Sequence, residues 1–179
     1  MKKFLILSLI FLISCATAPK TSKESPEIIF KRGMDFYNKE DYASALKEFK
    51  TVAEKNPNFP EVYLYIGNCY LQVGFYERAE EAYQKQLSLT PKNEKVFINL
   101  GITYKGMKDY KKALEMYLKA AEINPNNPDT YFNLGILCYE NLDLKDQAIF
   151  YFKKCIKLDP NSDRSIELKK FLEEIEKKK

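Results

Sequence analysis

The sequence contains no histidine and no tryptophan, and only six glycines among its 179 residues. Without histidine there is no Ser-His-Asp or Cys-His catalytic set and no imidazole ligand for a metal. A large excess of either charge is also missing. The 29 basic and 25 acidic side chains leave a net charge of +4, too little for a dedicated nucleic-acid binder. What remains is 45% hydrophobic and 30% charged, a balance that buries a core and argues against wholesale disorder.

The N-terminus reads as an address. Lys2 and Lys3 precede a mainly apolar stretch from Phe4 to Ser14. Eleven residues rise about 16 Å as a helix, against a hydrocarbon core of about 30 Å, so the stretch is too short to span a membrane. A basic start followed by a short apolar run is the secretory pattern. Leu12-Ile13-Ser14-Cys15 resembles the bacterial lipobox. That resemblance implies a lipoprotein signal peptide at residues 1–14, cleavage before Cys15 and covalent lipid on its thiol. Stable anchoring follows when two or more acyl chains are attached. An ordinary signal peptide cut at or after Ala16 or Ala18, with Cys15 a bystander, is the competing reading. Removing Lys2 and Lys3 leaves 27 basic and 25 acidic residues, a net of +2. Ala16 stands where an aspartate would resemble the inner-membrane retention signal of enteric bacteria. By that analogy the expected location is the outer membrane, facing the periplasm. Residues 15–25 then form the lipidated cysteine and a tether without apolar periodicity, whose ten residues after Cys15 reach about 33 Å at most.

Beyond residue 25 one pattern is written four times. Gly33, Gly67, Gly101 and Gly135 are 34 residues apart, and Ala45, Ala79, Ala113 and Ala148 follow at 34, 34 and 35. Pro57, Pro91, Pro125 and Pro160 repeat that second spacing. A fixed period of this length marks a repeat architecture. The extra residue lies between Gly135 and Ala148, at the internal turn of the fourth unit. Phe97, Leu100 and Tyr104 form an i, i+3, i+7 stripe, as do Ala113, Tyr117 and Ala120, so each unit holds two helices. Small residues such as Gly33 and Ala45 are expected to let the paired helices approach closely. Each proline ends a second helix.

The period and its fillers resemble the tetratricopeptide repeat (TPR) family, with units at 26–59, 60–93, 94–127 and 128–162. The third unit matches most fully, with Phe97 where the family often has tryptophan. Arg32 departs at the leucine place before Gly33, Phe36 and Cys138 at tyrosine places, and Gln86 and Cys155 at the last small position. The implied fold is all-α: an α-solenoid of four TPR helix hairpins. Residues 163–179 add a capping helix, with Leu168, Phe171, Leu172 and Ile175 as its apolar stripe and Ser162 or Asp163 as its N-cap. Cys69, Cys138 and Cys155 fall at apolar or small places without CxxC spacing and are expected to be structural. A disulfide between Cys138 and Cys155 would be strained, because antiparallel helices place them about 9 Å apart in height.

In this family the first helix of each pair lines the inner surface, where partner segments bind. Carried over position by position, the resemblance implies a groove of Phe30, Met34 and Tyr37; Leu64, Asn68 and Leu71; Ile98, Ile102 and Lys105; and Phe132, Ile136 and Tyr139. Ten of the twelve are apolar or aromatic. Only Asn68 and Lys105 suit the carboxylate clamp of chaperone-binding relatives. An amphipathic helix or an extended peptide with apolar anchors is therefore the expected ligand. The expected function is a membrane-anchored scaffold that holds an envelope protein, in envelope, secretion or pilus assembly. No catalytic residues, metal, cofactor, nucleic acid or small-molecule substrate are expected. A self-associating structural lipoprotein, or an accessory subunit of an envelope enzyme, is the alternative.

Overall fold

The computed structural model describes residues 24–177; the expected signal peptide, Cys15, the expected tether up to residue 23 and the last two lysines lie outside the described residues. Every regular element among those described is helical. α1 (Pro26–Asn38) pairs with α2 (Tyr42–Lys55), α3 (Val62–Gln72) with α4 (Tyr76–Leu89), and α5 (Glu94–Gly106) with α6 (Tyr110–Ile123). α7 (Pro128–Ile136) continues through a π-helical turn at Leu137–Asn141 and pairs with α8 (Lys145–Leu158), on which α9 (Asp163–Glu176) closes the array. Each second helix also packs on the first helix of the next pair, the one-dimensional stacking of a solenoid.

The period read from the sequence reappears in the backbone. The turn inside each pair carries one residue of positive φ: Glu40, Gly74, Lys108 and Asp143, spaced 34, 34 and 35. In the first three turns one amide bonds the carbonyl five residues back: Asp41 to Phe36 at 3.0 Å, Phe75 to Tyr70 and Asp109 to Tyr104 at 2.9 Å. In the fourth, Leu144 reaches back six, to Cys138, at 2.9 Å. The inserted residue is therefore absorbed by the π-helical turn at the end of the first helix rather than by the connecting loop alone. Widening one helical turn keeps Gly135 and Ala148 in register on either side.

The close approach within each pair also differs from expectation. What stands nearest the glycine is not the small alanine but the aromatic ring four residues beyond that alanine, for which the glycine makes a notch. A Cβ on Gly101 would stand 2.4 Å from Tyr117 Cε1, and one on Gly67 the same distance from Tyr83 Cε1. Phe49 and Phe152 fill the notches of Gly33 and Gly135. All four rings are at most 1% exposed. Second helices end at Asn56, Thr90, Asn124 and Asp159, each directly before its proline and with φ between −144° and −132°. That extended backbone is what a following proline imposes.

Departures from the family pattern acquire reasons. Gln86 is buried, and its Oε1 accepts from the Leu64 amide at 3.2 Å. The bond serves an N-terminus that Glu61 leaves without a side-chain cap. Arg32, on the outer side of the first pair, binds Glu24 at 2.8 Å and Glu48 at 2.6 Å, which makes that end of the array polar. At the other end Ser162 caps α9 by accepting from Ser165 N. Lys170 falls one unit length, 35 residues, after Gly135, so no notch exists there for a further hairpin. Cys69, Cys138 and Cys155 are buried free thiols; burial pushes all three thiols up, Cys69 to about 12.

Candidate interaction surface

The first helices share one face, and its centre holds an open cavity of about 420 Å³. Five of the twelve expected groove residues line it: Tyr37 from α1, Asn68 and Leu71 from α3, and Ile102 and Lys105 from α5. Three consecutive repeats therefore contribute to one concavity. Its floor is polar. Asn68 Oδ1 accepts from the Tyr83 hydroxyl at 2.8 Å and from Asn99 Nδ2 at 2.7 Å, tying α3, α4 and α5 together. Burial raises the pKa of the Tyr37 phenol, with hydrogen bonding by Asn68 opposing the shift. The cavity thus has a fixed amide and phenol floor between apolar walls, with Lys105 at one side.

The other seven expected positions lie outside the cavity lining. Met34, Ile98 and Ile136 are half-buried against the core beneath them. Leu64 is 3% exposed and belongs to the interior, so it is not a contact surface. Phe30 is enclosed by Phe49, Phe59 and Tyr65, with ring centres 5.3, 4.9 and 5.5 Å away. Phe132 and Tyr139 are overlaid by the capping helix. The Arg164 guanidinium lies 4.5 Å from the centre of the Phe132 ring, and Phe171 meets Tyr139 edge-on at 5.1 Å. The strip is therefore most open in its middle, and α9 occupies its C-terminal end. Cys15 lies outside the described residues.

Four residues of the cavity lie outside the twelve expected positions: Gln72, Tyr76, Asn99 and Gly106. Asn99 carries the bridge to Asn68, and Tyr76 crosses from the start of α4 to Gly106, where a Cβ would stand 2.5 Å from Tyr76 Cε1. Gly106 lies outside the 34-residue series, and that irregularity was the available signal. Among the described residues no group of three or more His, Cys, Asp or Glu side chains could hold a metal ion. No described helix is long and apolar enough to cross a membrane.

Paired antiparallel helices at a 34-residue period, with an open face built by the first helices, define an α-solenoid of the kind that binds partner proteins or peptides. The chain belongs to the tetratricopeptide repeat family, whose models match residues 38–97, 94–127 and 128–162. Among solved structures it is similar to MamA (residues 41 to the end) from Desulfovibrio magneticus RS-1, at 24% identity over 79% of both chains with a TM-score of 0.72. It also resembles TTC0263, a thermophilic TPR protein of Thermus thermophilus, at 20% identity over 80% of this chain and 81% of that one, TM-score 0.69. The first TPR of Spaghetti (RPAP3), bound to the HSP90 peptide SRMEEVD, aligns with 64% of this chain and 91% of its own at 16% identity, TM-score 0.62. At these identities the likeness is one of fold. No match is found among curated proteins.

Proposed function

We propose that the protein is a bacterial lipoprotein, anchored through lipid on Cys15 to the periplasmic face of the outer membrane, that captures an envelope protein in the groove of its TPR array. The observation that carries the groove reading is the open cavity shared by α1, α3 and α5, with apolar walls at Leu71 and Ile102 and a hydrogen-bonded floor at Asn68. Such a site takes apolar anchors of a helix or extended segment, while the amides orient the ligand. The peptide bound by RPAP3 ends in acidic residues. Here Asn68 and Lys105 are the only groove positions suited to a carboxylate, so the ligand we favour is apolar. Assembly of an envelope, secretion or pilus machine is the process such a tethered scaffold would serve.

Photo-cross-linking in cells from position 102 tests the groove. A discrete envelope partner is expected, with capture falling at least ~10-fold when Ile102 and Ile136 are both replaced by aspartate and helicity is kept. Unchanged capture by that variant would falsify the groove. The anchor is tested separately: radiolabelled palmitate should enter the native protein and not Cys15→Ser, which should leave the membrane fraction.

A further inference from the structure

Two grooves on the second-helix side occupy equivalent places in the repeat. One, of about 540 Å³, lies between α2 and α4 over α3; the other, of about 300 Å³, lies between α6 and α8 over α7. Their walls correspond two units apart: Glu54 with Glu122, Pro57 with Pro125, Tyr63 with Tyr131, and Lys85 with Lys154. The cation over the ring recurs as well, with Lys85 Nζ 4.5 Å from the Tyr63 centre and Lys154 Nζ 4.1 Å from that of Tyr131. At three positions the chemistry changes, and one of them, Ala82 to Tyr151, adds a ring to the wall of the second groove. At the rim, Lys50 and Glu81 in the first groove become Leu118 and Phe150 in the second, 39% and 62% exposed. The first groove forms with charges at these places, so folding does not demand apolar residues there.

We infer that this apolar rim is the contact surface for a second copy of the same chain. It carries both halves of a contact. Phe150 projects as a knob, braced edge-on by Tyr151 with ring centres 5.4 Å apart, and the groove beside it is the hole. A surface holding both complements pairs with itself through a two-fold axis. An axis along the groove lays α6 of one copy on α8 of the other. Phe150 then meets Leu118 of the second copy, and Glu122 meets Lys154 of the second copy, so unlike charges face each other without a foreign partner. Helices of this length extend about 21 Å, which makes the footprint small and the dimer weak, with a Kd on the order of 10 µM.

Sedimentation equilibrium of the full-length protein tests this, in density-matched detergent where lipid is attached. The native chain is expected to show a concentration-dependent monomer–dimer equilibrium. The double variant L118K/F150E gives the second groove the charges of the first at these two places, and it should raise the Kd at least ~100-fold with helicity and melting unchanged. Ile102→Asp, on the other face, should dimerise as the native chain does. A native chain that stays monomeric at about 100 µM overturns the proposal, because a dimer of the expected Kd would be mostly formed there. So does L118K/F150E dimerising normally, and so does cross-linking from position 150 that yields lipid or a foreign protein instead of dimer.

Discussion

Repeats two and three seat the same tyrosine in the same glycine notch, yet its hydroxyl is treated in opposite ways. Tyr83 donates to Asn68 Oδ1 at 2.8 Å. Thirty-four residues on, the hydroxyl of Tyr117 is buried with no hydrogen-bond partner among the described residues, and Ile102 stands in the place of Asn68. Burial raises the pKa of both phenols, and only at Tyr83 does a neighbouring amide, that of Asn99, work against it. Repeats one and four avoid the problem by using Phe49 and Phe152 opposite Met34 and Ile136. An unmet buried hydroxyl costs about 1–3 kcal/mol. The third repeat therefore carries a local destabilisation at the residue that makes the groove apolar. The notch sets the shape of every repeat, and the residue after the notch glycine sets the chemistry of the face.

The largest effect should come from filling the notch, and it should be alike in both repeats. Gly67→Ala and Gly101→Ala place a methyl group within 2.4 Å of a ring that is fully buried and cannot swing away. The helix-propensity gain of alanine, about 1 kcal/mol, is outweighed by overpacking, and a net loss of about 2–3 kcal/mol is expected for each in urea unfolding. An unchanged midpoint for either would show that the ring is not locked. Removing the hydroxyl should then separate the two repeats by sign. Tyr83→Phe should lose about 1–2 kcal/mol, whereas Tyr117→Phe should be neutral or gain up to about 1 kcal/mol. Equal losses would mean that Tyr117 has a partner, such as a buried water, and the contrast would collapse.

The sequence exposes the period because glycine, alanine and proline sit where nothing else fits, and those requirements recur unchanged. The ring that fills the notch recurs too, at 49, 83, 117 and 152, but the use of Phe in the outer repeats and Tyr in the inner two hides it from a search for identical residues. The π-helical turn was out of reach for another reason. Spacing confines the insertion to the interval between Gly135 and Ala148, while the choice between loop and helix depends on the hydrogen bonding of Leu144. The groove was visible as a set of positions and not as a surface. Leu64, Phe132 and Tyr139 obey the repeat, yet their exposure is decided by neighbours at the ends and seams. For Phe132 and Tyr139 those neighbours are Arg164 and Phe171, on a capping helix that carries no repeat signal.

The seam between repeats offers a smaller contrast of the same kind. Val62 and Val96 stand at one place of repeats two and three, fully buried, and the fourth repeat puts Thr130 there. Its Oγ1 is buried without a hydrogen-bond partner among the described residues. Valine has the shape of threonine without the hydroxyl, so Thr130→Val should stabilise the protein by about 0.5–1 kcal/mol, seen as a shift of the thermal midpoint. Destabilisation would place an unseen acceptor at the seam.

The smallest expected effect separates repeats two and three at the start of their second helices. Asp109 caps α6 by accepting from the Lys112 amide at 3.1 Å, whereas α4 begins after Phe75 with no side-chain cap. That backbone bond, helped by the Lys112 side chain, holds the Asp109 carboxyl below its ordinary value of 3.8; Asp41 in repeat one is also lowered, first by the Ser44 side chain and then by the Ser44 amide. A folded pKa below the unfolded one means that the cap contributes fully above the unfolded value, and that the contribution is lost as pH falls through the folded value. Acidification from neutral pH to below 3.8 should therefore reduce hydrogen-exchange protection at Lys112 more than at Arg78, the equivalent amide of the uncapped α4. Asp109→Asn retains an acceptor and has no charge to lose, so it should flatten the pH dependence at Lys112. Equal acid sensitivity at the two amides in the native chain would show that the caps do not distinguish the repeats, and that acid acts on the solenoid as a whole.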